Sequence, residues 1–267
     1  MNEELNIKRG VLGDFPLPKT VYKYRDWEDD YHKRFITERE VFMASASSFL
    51  DELDCNNPTR FDLLSEKQIY DYFLFDSKER HPNYTRQQHK TFARYWAKKS
   101  PVRDKKYVEE QMKKNVQSYY DHEGILSLTE NCDKDEMWEK YANKETGFCI
   151  GYNTLEMFKY LGGGGEVEYV DKLPEIYPFP FMQHEVAMRN RTFFKLKEWS
   201  FEEEYRTKKF WPHIATIQDR QIKLPKEAFK QIILGNKISK ENEKEIIRLV
   251  KKHIGEIEII KRNDLKK

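Results

Sequence analysis

Polar and apolar positions alternate or recur along this chain in ways that predict most of its elements. TVYKYR, residues 20–25, is a short aromatic and β-branched strand, with Val21, Lys23 and Arg25 on one face and Tyr22 and Tyr24 on the other. Trp27, Tyr31 and Phe35 follow at four-residue spacing, which predicts a helix. EVFMASASS, residues 40–48, reads as a second strand running into a Ser-rich loop. From about residue 62 to 122 the period becomes helical: Val108, Met112, Val116 and Tyr120 share one face, and Tyr84, Phe92, Tyr95 and Trp96 suggest a helix before it. Pro82 and Pro101 punctuate this segment, which reads as an all-helical insertion or cap.

Strands return with GILSLTE (124–130) and TGFCIGY (146–152). Between them DKDEMWEKYAN fits a short helix capped by Asp133. Asn153 caps the next helix, which stops at the four glycines 162–165. A helix over 181–197, strands near 203–211 and 220–224, the strand QIILG, a helix capped by Ser239 and the strand EIEII complete the chain. There is no steady βαβ alternation. The expected class is α+β, one domain over 1–267, with a mixed or antiparallel sheet.

With 267 residues the chain is long enough for a substantial core, and 14% aromatic content argues against disorder despite 35% charged residues. A net charge of +2 gives no global basic excess of the kind nucleic-acid binders show. No apolar run is long enough to span a bilayer, MNEELNIKRG has no apolar signal core, and three cysteines without CxxC spacing read as reduced thiols. A cytoplasmic protein without membrane contact is expected. The tetraglycine lacks the GK[ST] and following helix of a phosphate loop, and the seven histidines form neither HExxH nor HxH, so no metal site is assigned.

The candidate chemistry lies in WSFEEEYR, residues 199–206. On an extended backbone Glu202, Glu204 and Arg206 share a face, while Glu203 and Tyr205 point away. If that face were buried, the arginine would have to offset the desolvation of two acids, and one carboxylate could serve as a base or orient a hydroxyl. Trp138 and Tyr141, one helical turn apart, read as core aromatics or as a stacking wall for a base.

In order, VYKYR, VFMASASSFLDELDC, SLTENCDKDEMWEKYANKETGFCIGY, KLKEWSFEEEYR and QIILGNKIS resemble the bacterial domain-of-unknown-function 2971 family. Where that family's pattern carries Asn-Asp-Pro, this chain has Leu50, Asp51 and Glu52, with Asp54 and Cys55 matching the end of the motif. A second likeness is to the R-S-E arrangement of ADP-ribosyltransferases. It implies Arg25 on the diphosphate of NAD, Ser45 and Ser47 at the nicotinamide ribose, Tyr22 or Tyr24 against the nicotinamide ring, Arg206 beside the ligand, and Glu204 as catalytic residue with Glu202 as its companion. The implied activity is that of an NAD-consuming ADP-ribosyltransferase or NAD glycohydrolase, a bacterial toxin or anti-phage defence effector.

Two other readings compete. A metal-dependent nuclease or nucleotide phosphodiesterase, with a nucleotide or nucleic-acid ligand, would need a third acid, Asp51 or Asp54, to converge on Glu202 and Glu204. A non-catalytic sensing or adaptor module would pair Glu202 with Arg206 and leave no open pocket.

Overall fold

The computed structural model describes residues 16–265; the MNEELNIKRG opening lies outside the described residues. The chain runs β1 (Thr20–Arg25), α1 (Asp30–Thr37) and a short β2 (Glu40–Phe42), then three consecutive helices, α2 (Glu66–Arg80), α3 (Arg86–Lys99) and α4 (Lys105–His122). These form the helical insertion read from the sequence. Its boundaries are set locally: Ser65 with Gln68 and Thr85 with Gln88 build reciprocal capping boxes at the starts of α2 and α3. Next come β3 (Glu123–Thr129), α5 (Asp135–Tyr141), β4 (Phe148–Asn153), α6 (Thr154–Leu161), β5 (Gly165–Glu166), β6 (Glu168–Val170), α7 (His184–Thr192) and β7 (Phe194–Leu196). After a 3-10 stretch, Lys197–Glu202, the chain ends with β8 (Glu204–Phe210), α8 (Ile217–Arg220), β9 (Gln221–Lys223), β10 (Phe229–Leu234), α9 (Lys240–His253) and β11 (Glu258–Lys261).

The fold is α+β. A seven-stranded mixed sheet has the order β11-β10-β4-β1-β3-β8-β5, with β10 and β11 parallel and the other neighbours antiparallel. Two small pairs, β2-β9 and β6-β7, stand apart from it. Alternation divides the central strands between two cores. Ile150 and Ile232 join Val21, Trp27, Phe148, Ile246 and Val250 in the larger core, while Cys149 and Ile233 join Tyr24 and Trp138 in a smaller one. Asn153 and Ser239 cap α6 and α9 as their spacing predicts.

Four local expectations are corrected. Asp133 does not cap α5; its carboxylate instead accepts from Arg262 Nε at 2.9 Å. Tyr31 is solvent-exposed while Trp27 and Phe35 are buried, because α1 begins only at Asp30 and the three do not share one helical face. The helix expected over 181–197 is shorter, and its end gives way to β7. Strand structure in WSFEEEYR starts at Glu204, because Glu203 is left-handed (φ 44°) and ends the 3-10 stretch. Glu202 is therefore not related to Glu204 by strand alternation.

Candidate functional site

The central sheet has a seam. β1 pairs with β4 along its whole length, from Thr20 opposite Asn153 to Arg25 opposite Phe148, but meets β3 only where Tyr22 faces Thr129. Farther along, the free edge of β3 is taken by another segment: Ala44 and Ile125 exchange backbone hydrogen bonds of 2.8 Å in each direction. The chain after β2 thus wedges between β1 and β3. Lys23 Nζ bridges the gap by donating to the Ser127 carbonyl at 2.5 Å. A cavity of about 380 Å³ opens there, within the size range of small-molecule sites.

Carboxylates and Lys195 make one wall, with Arg206 buried behind them. Strand alternation puts Glu204 and Arg206 side by side on β8, and Arg206 Nε and Nη2 donate to the two Glu204 oxygens at 2.6 and 2.8 Å. The same guanidinium reaches Asp54 through Nη1 and Nη2, at 2.8 and 2.6 Å, and donates to the Thr192 carbonyl at 2.8 Å. Lys195, from β7, lies 2.5 Å from Glu202, 3.4 Å from Asp54 and 3.5 Å from Glu204. Tyr141 donates its hydroxyl to the other Glu202 oxygen at 2.6 Å, and Lys140 lies 3.8 Å from the Trp199 ring centre. Burial of Glu204 pushes its carboxyl up, but Arg206 and Lys195 outweigh that and hold it at about 2. Burial alone would lower the Arg206 and Lys195 cations, yet their carboxylates hold both above their ordinary values. Lys140 adds a third cation, 3.8 Å from Glu202, so the three acids Asp54, Glu202 and Glu204 face three bases.

The opposite wall is cationic. Lys23 and Arg25 line the cavity and make no ion pair among the described residues. Burial and the neighbouring Arg25 lower Lys23 to about 7. Burial likewise lowers Arg25 to about 10. The Arg25 guanidinium lies 4.3 Å from the Phe35 ring centre, Nη1 donates only to the Tyr24 carbonyl at 3.3 Å, and the buried Nε has no partner. A buried guanidinium donor without an acceptor is costly, and an anionic ligand would relieve it.

Of the residues singled out in the sequence, Glu202, Glu204, Arg25, Tyr22 and Tyr24 all line this cavity. Tyr24 contributes little beyond wall: it packs edge-on to Trp138 and donates its hydroxyl to the Asn131 carbonyl. Tyr22 remains half-buried, with its hydroxyl accepting from Gln231 at 3.1 Å. Ser45 and Ser47 stay outside, because Ser45 hydrogen-bonds to Ser47 and donates to the Tyr120 carbonyl; Ser48 lines the cavity in their place. Arg206 does not reach it either. It is completely buried behind Glu204, all of its donors turned to protein acceptors, so its role is to hold acids rather than ligand. Trp138 is core, as large aromatics usually are.

The third acid foreseen for a metal centre does arrive, as Asp54, but the Lys195 ammonium occupies the focus of the three carboxylates. Among the described residues no group of His, Cys, Asp and Glu is arranged to hold a metal ion. The pairing expected of a closed adaptor also differs: Arg206 binds Glu204 and Asp54 rather than Glu202, and a cavity adjoins them. Lys23 and Lys195 were not singled out in the sequence. Lys23 sits between two flagged tyrosines, and its alternation with Arg25 was the available signal. Lys195 offers none, since only the tertiary fold brings KLKEW to Glu202 and Asp54. No helix among the described residues is long and apolar enough to cross a membrane.

No protein-family model, no curated protein and no solved structure matches the chain. The segments that carry the resemblances fall on β1, β2 and the stretch after it, β3, α5, β4, β7, β8 and β10, and of these β1, the stretch after β2, β3, α5, β7 and β8 supply residues to the cavity.

Proposed function

We propose that the chain binds NAD in the seam cavity and breaks its N-glycosidic bond, as an ADP-ribosyltransferase or NAD glycohydrolase of the toxin or anti-phage effector type. The observation that carries this reading is the division of one cavity between cations without an ion-pair partner among the described residues, Lys23 and Arg25, and the carboxylates Glu202, Glu204 and Asp54. Arg25 and Lys23 hold the diphosphate. The C1′–N bond breaks, its electron pair leaves with nicotinamide, and positive charge develops on the ribose ring. The Glu202–Glu204 cluster stabilises that charge electrostatically in a largely water-excluded site. Water or an acceptor hydroxyl then bonds to C1′ and gives its proton to the Glu202 carboxylate, which Tyr141 orients from its other oxygen. Trp199 and Tyr22 are the aromatic surfaces at hand for the nicotinamide ring.

The test is incubation with NAD, alone and with cell extract, following nicotinamide release. Release by the wild type, strongly reduced in Glu204→Gln and Glu202→Gln and in Arg25→Met, supports the reading. Absence of release from a folded wild-type protein under both conditions removes it.

A further inference from the structure

A second cavity, of about 340 Å³, lies directly beyond the first, and Arg25 and His32 belong to the walls of both. Its character is different. Phe35 and Val41 form a buried apolar floor, and Tyr31, Phe42 and Ile217 stand exposed around it. Its polar groups are few. Arg34 is satisfied by Glu40, with Nε and Nη2 both on Oε2 at 3.0 and 2.8 Å, which leaves Glu40 Oε1 free to accept. The Gln221 side-chain amide, also in the wall, makes no hydrogen bond among the described residues. An apolar, aromatic-rimmed chamber with one free acceptor and one free amide has the chemistry that takes a nucleobase: faces to stack on, and an edge to bond.

We infer that this second chamber binds the adenosine end of a dinucleotide whose diphosphate rests on Arg25, with the other nucleoside in the seam cavity. The geometry argues for a two-nucleoside ligand over a mononucleotide. Arg25 stands on the boundary with a buried Nε lacking an acceptor, and each chamber is of a size for one nucleoside. An anion held at that boundary, carrying one group on one side only, would leave the other chamber's exposed apolar rim uncovered. His32 cannot replace Arg25 as the anion's cation near neutrality: burial and Arg25 hold its ring at about 4, and its Nδ1 lies 3.2 Å from the Asp26 backbone. The other groups acting on Arg25 are Phe35, Tyr24, Lys23, Tyr152 and one acid, Asp29, whose carboxylate accepts from the Tyr31 backbone N–H, lies 3.7 Å from His32 and makes no ion pair with Arg25.

The inference rests on the proposed reading only for which end occupies the seam cavity. It is tested by calorimetric binding of ADP-ribose, AMP and nicotinamide mononucleotide to the full chain, none of which requires turnover. The variants are Phe42→Ala, Ile217→Ala and Arg25→Met; the first two change exposed rim positions and leave the core intact. Phe42→Ala and Ile217→Ala are expected to weaken ADP-ribose and AMP roughly tenfold, the size of one lost stacking or apolar contact, and to leave nicotinamide mononucleotide unchanged. Arg25→Met weakens all three. Equal effects of the rim variants on nicotinamide mononucleotide and AMP, or none on ADP-ribose, overturn the inference. The two ideas fail separately. ADP-ribose binding with rim dependence but no nicotinamide release retains the chamber and removes the catalytic reading. Nicotinamide release with a KM for NAD unaffected by both rim variants retains the catalytic reading and removes the chamber.

Discussion

Arg206→Met isolates what the buried ion cluster does. Arg206 is fully buried and donates four hydrogen bonds to Glu204 and Asp54. Methionine keeps much of the volume and removes the charge, leaving two carboxylates, each nearly inaccessible to solvent, with Lys195 at 3.4 and 3.5 Å as their remaining cation. Removing one partner of a buried ion pair costs about 3–5 kcal/mol. For a domain of this size that corresponds to a fall in Tm of roughly 6–20 °C. The pH dependence carries a second signature. In the wild type Glu204 titrates at about 2 when folded against an ordinary 4.5, so its contribution, about 3 kcal/mol, is complete above 4.5 and is lost as pH falls toward 2. Without Arg206, burial raises that carboxyl instead, the folded state takes up protons more readily, and the deficit narrows as pH falls from 7 to 4.5. Thermal unfolding by circular dichroism over that range measures both. A Tm within about 2 °C of wild type at pH 7, or a deficit independent of pH, would refute the assignment of Arg206 as the cluster's main counter-charge.

Four further outcomes follow from other contacts. Lys23 is held at about 7 when folded against an ordinary 10.5, so the unfolded chain carries the extra proton between those values; stability should rise with pH across that window in the wild type and less so in Lys23→Met, measured by urea midpoints. ADP-ribose binding should weaken above about pH 7 in the wild type and lose that dependence in Lys23→Met; a flat wild-type profile excludes Lys23 from the anion site. Tyr141→Phe removes the hydroxyl bonded to Glu202, at a cost of about 1.5–3 kcal/mol for a charged hydrogen bond, and should lower Tm by roughly 3–12 °C and slow nicotinamide release about tenfold or more. Gly147→Ala places a methyl group into the carbonyl oxygen of Arg25 and should lower both Tm and ADP-ribose affinity by displacing the end of β1, whereas Gly163→Ala, with open space around it but a left-handed φ of 116°, should cost stability alone.

How legible the protein was depended on the range of the interaction. Strands such as TVYKYR and QIILG, and caps such as Asn153 and Ser239, are local devices, readable because alternation and an N-terminal hydroxyl or amide act within a few residues. Arg25 and Glu204 line one cavity, from strands with β3 between them, but make no ion pair with each other. The left-handed Glu203 was not readable, since nothing in three consecutive glutamates says that the second turns the chain. Nor was Arg206's burial: the spacing shows Glu204 beside it, but Asp54 comes from 152 residues away. Ser45 and Ser47 failed for the same reason, drawn off by a carbonyl on α4 that only the folded chain brings near.

The single residue pair joining β1 to β3 has a corollary. Elsewhere in the sheet, strand spacing is set mainly by a repeating backbone ladder. At the break, the opening is spanned by Lys23 reaching the Ser127 carbonyl and propped by the segment at Ala44. Its dimensions are therefore written in a few replaceable residues, and substitutions there can widen, narrow or recharge the opening without redrawing the scaffold around it.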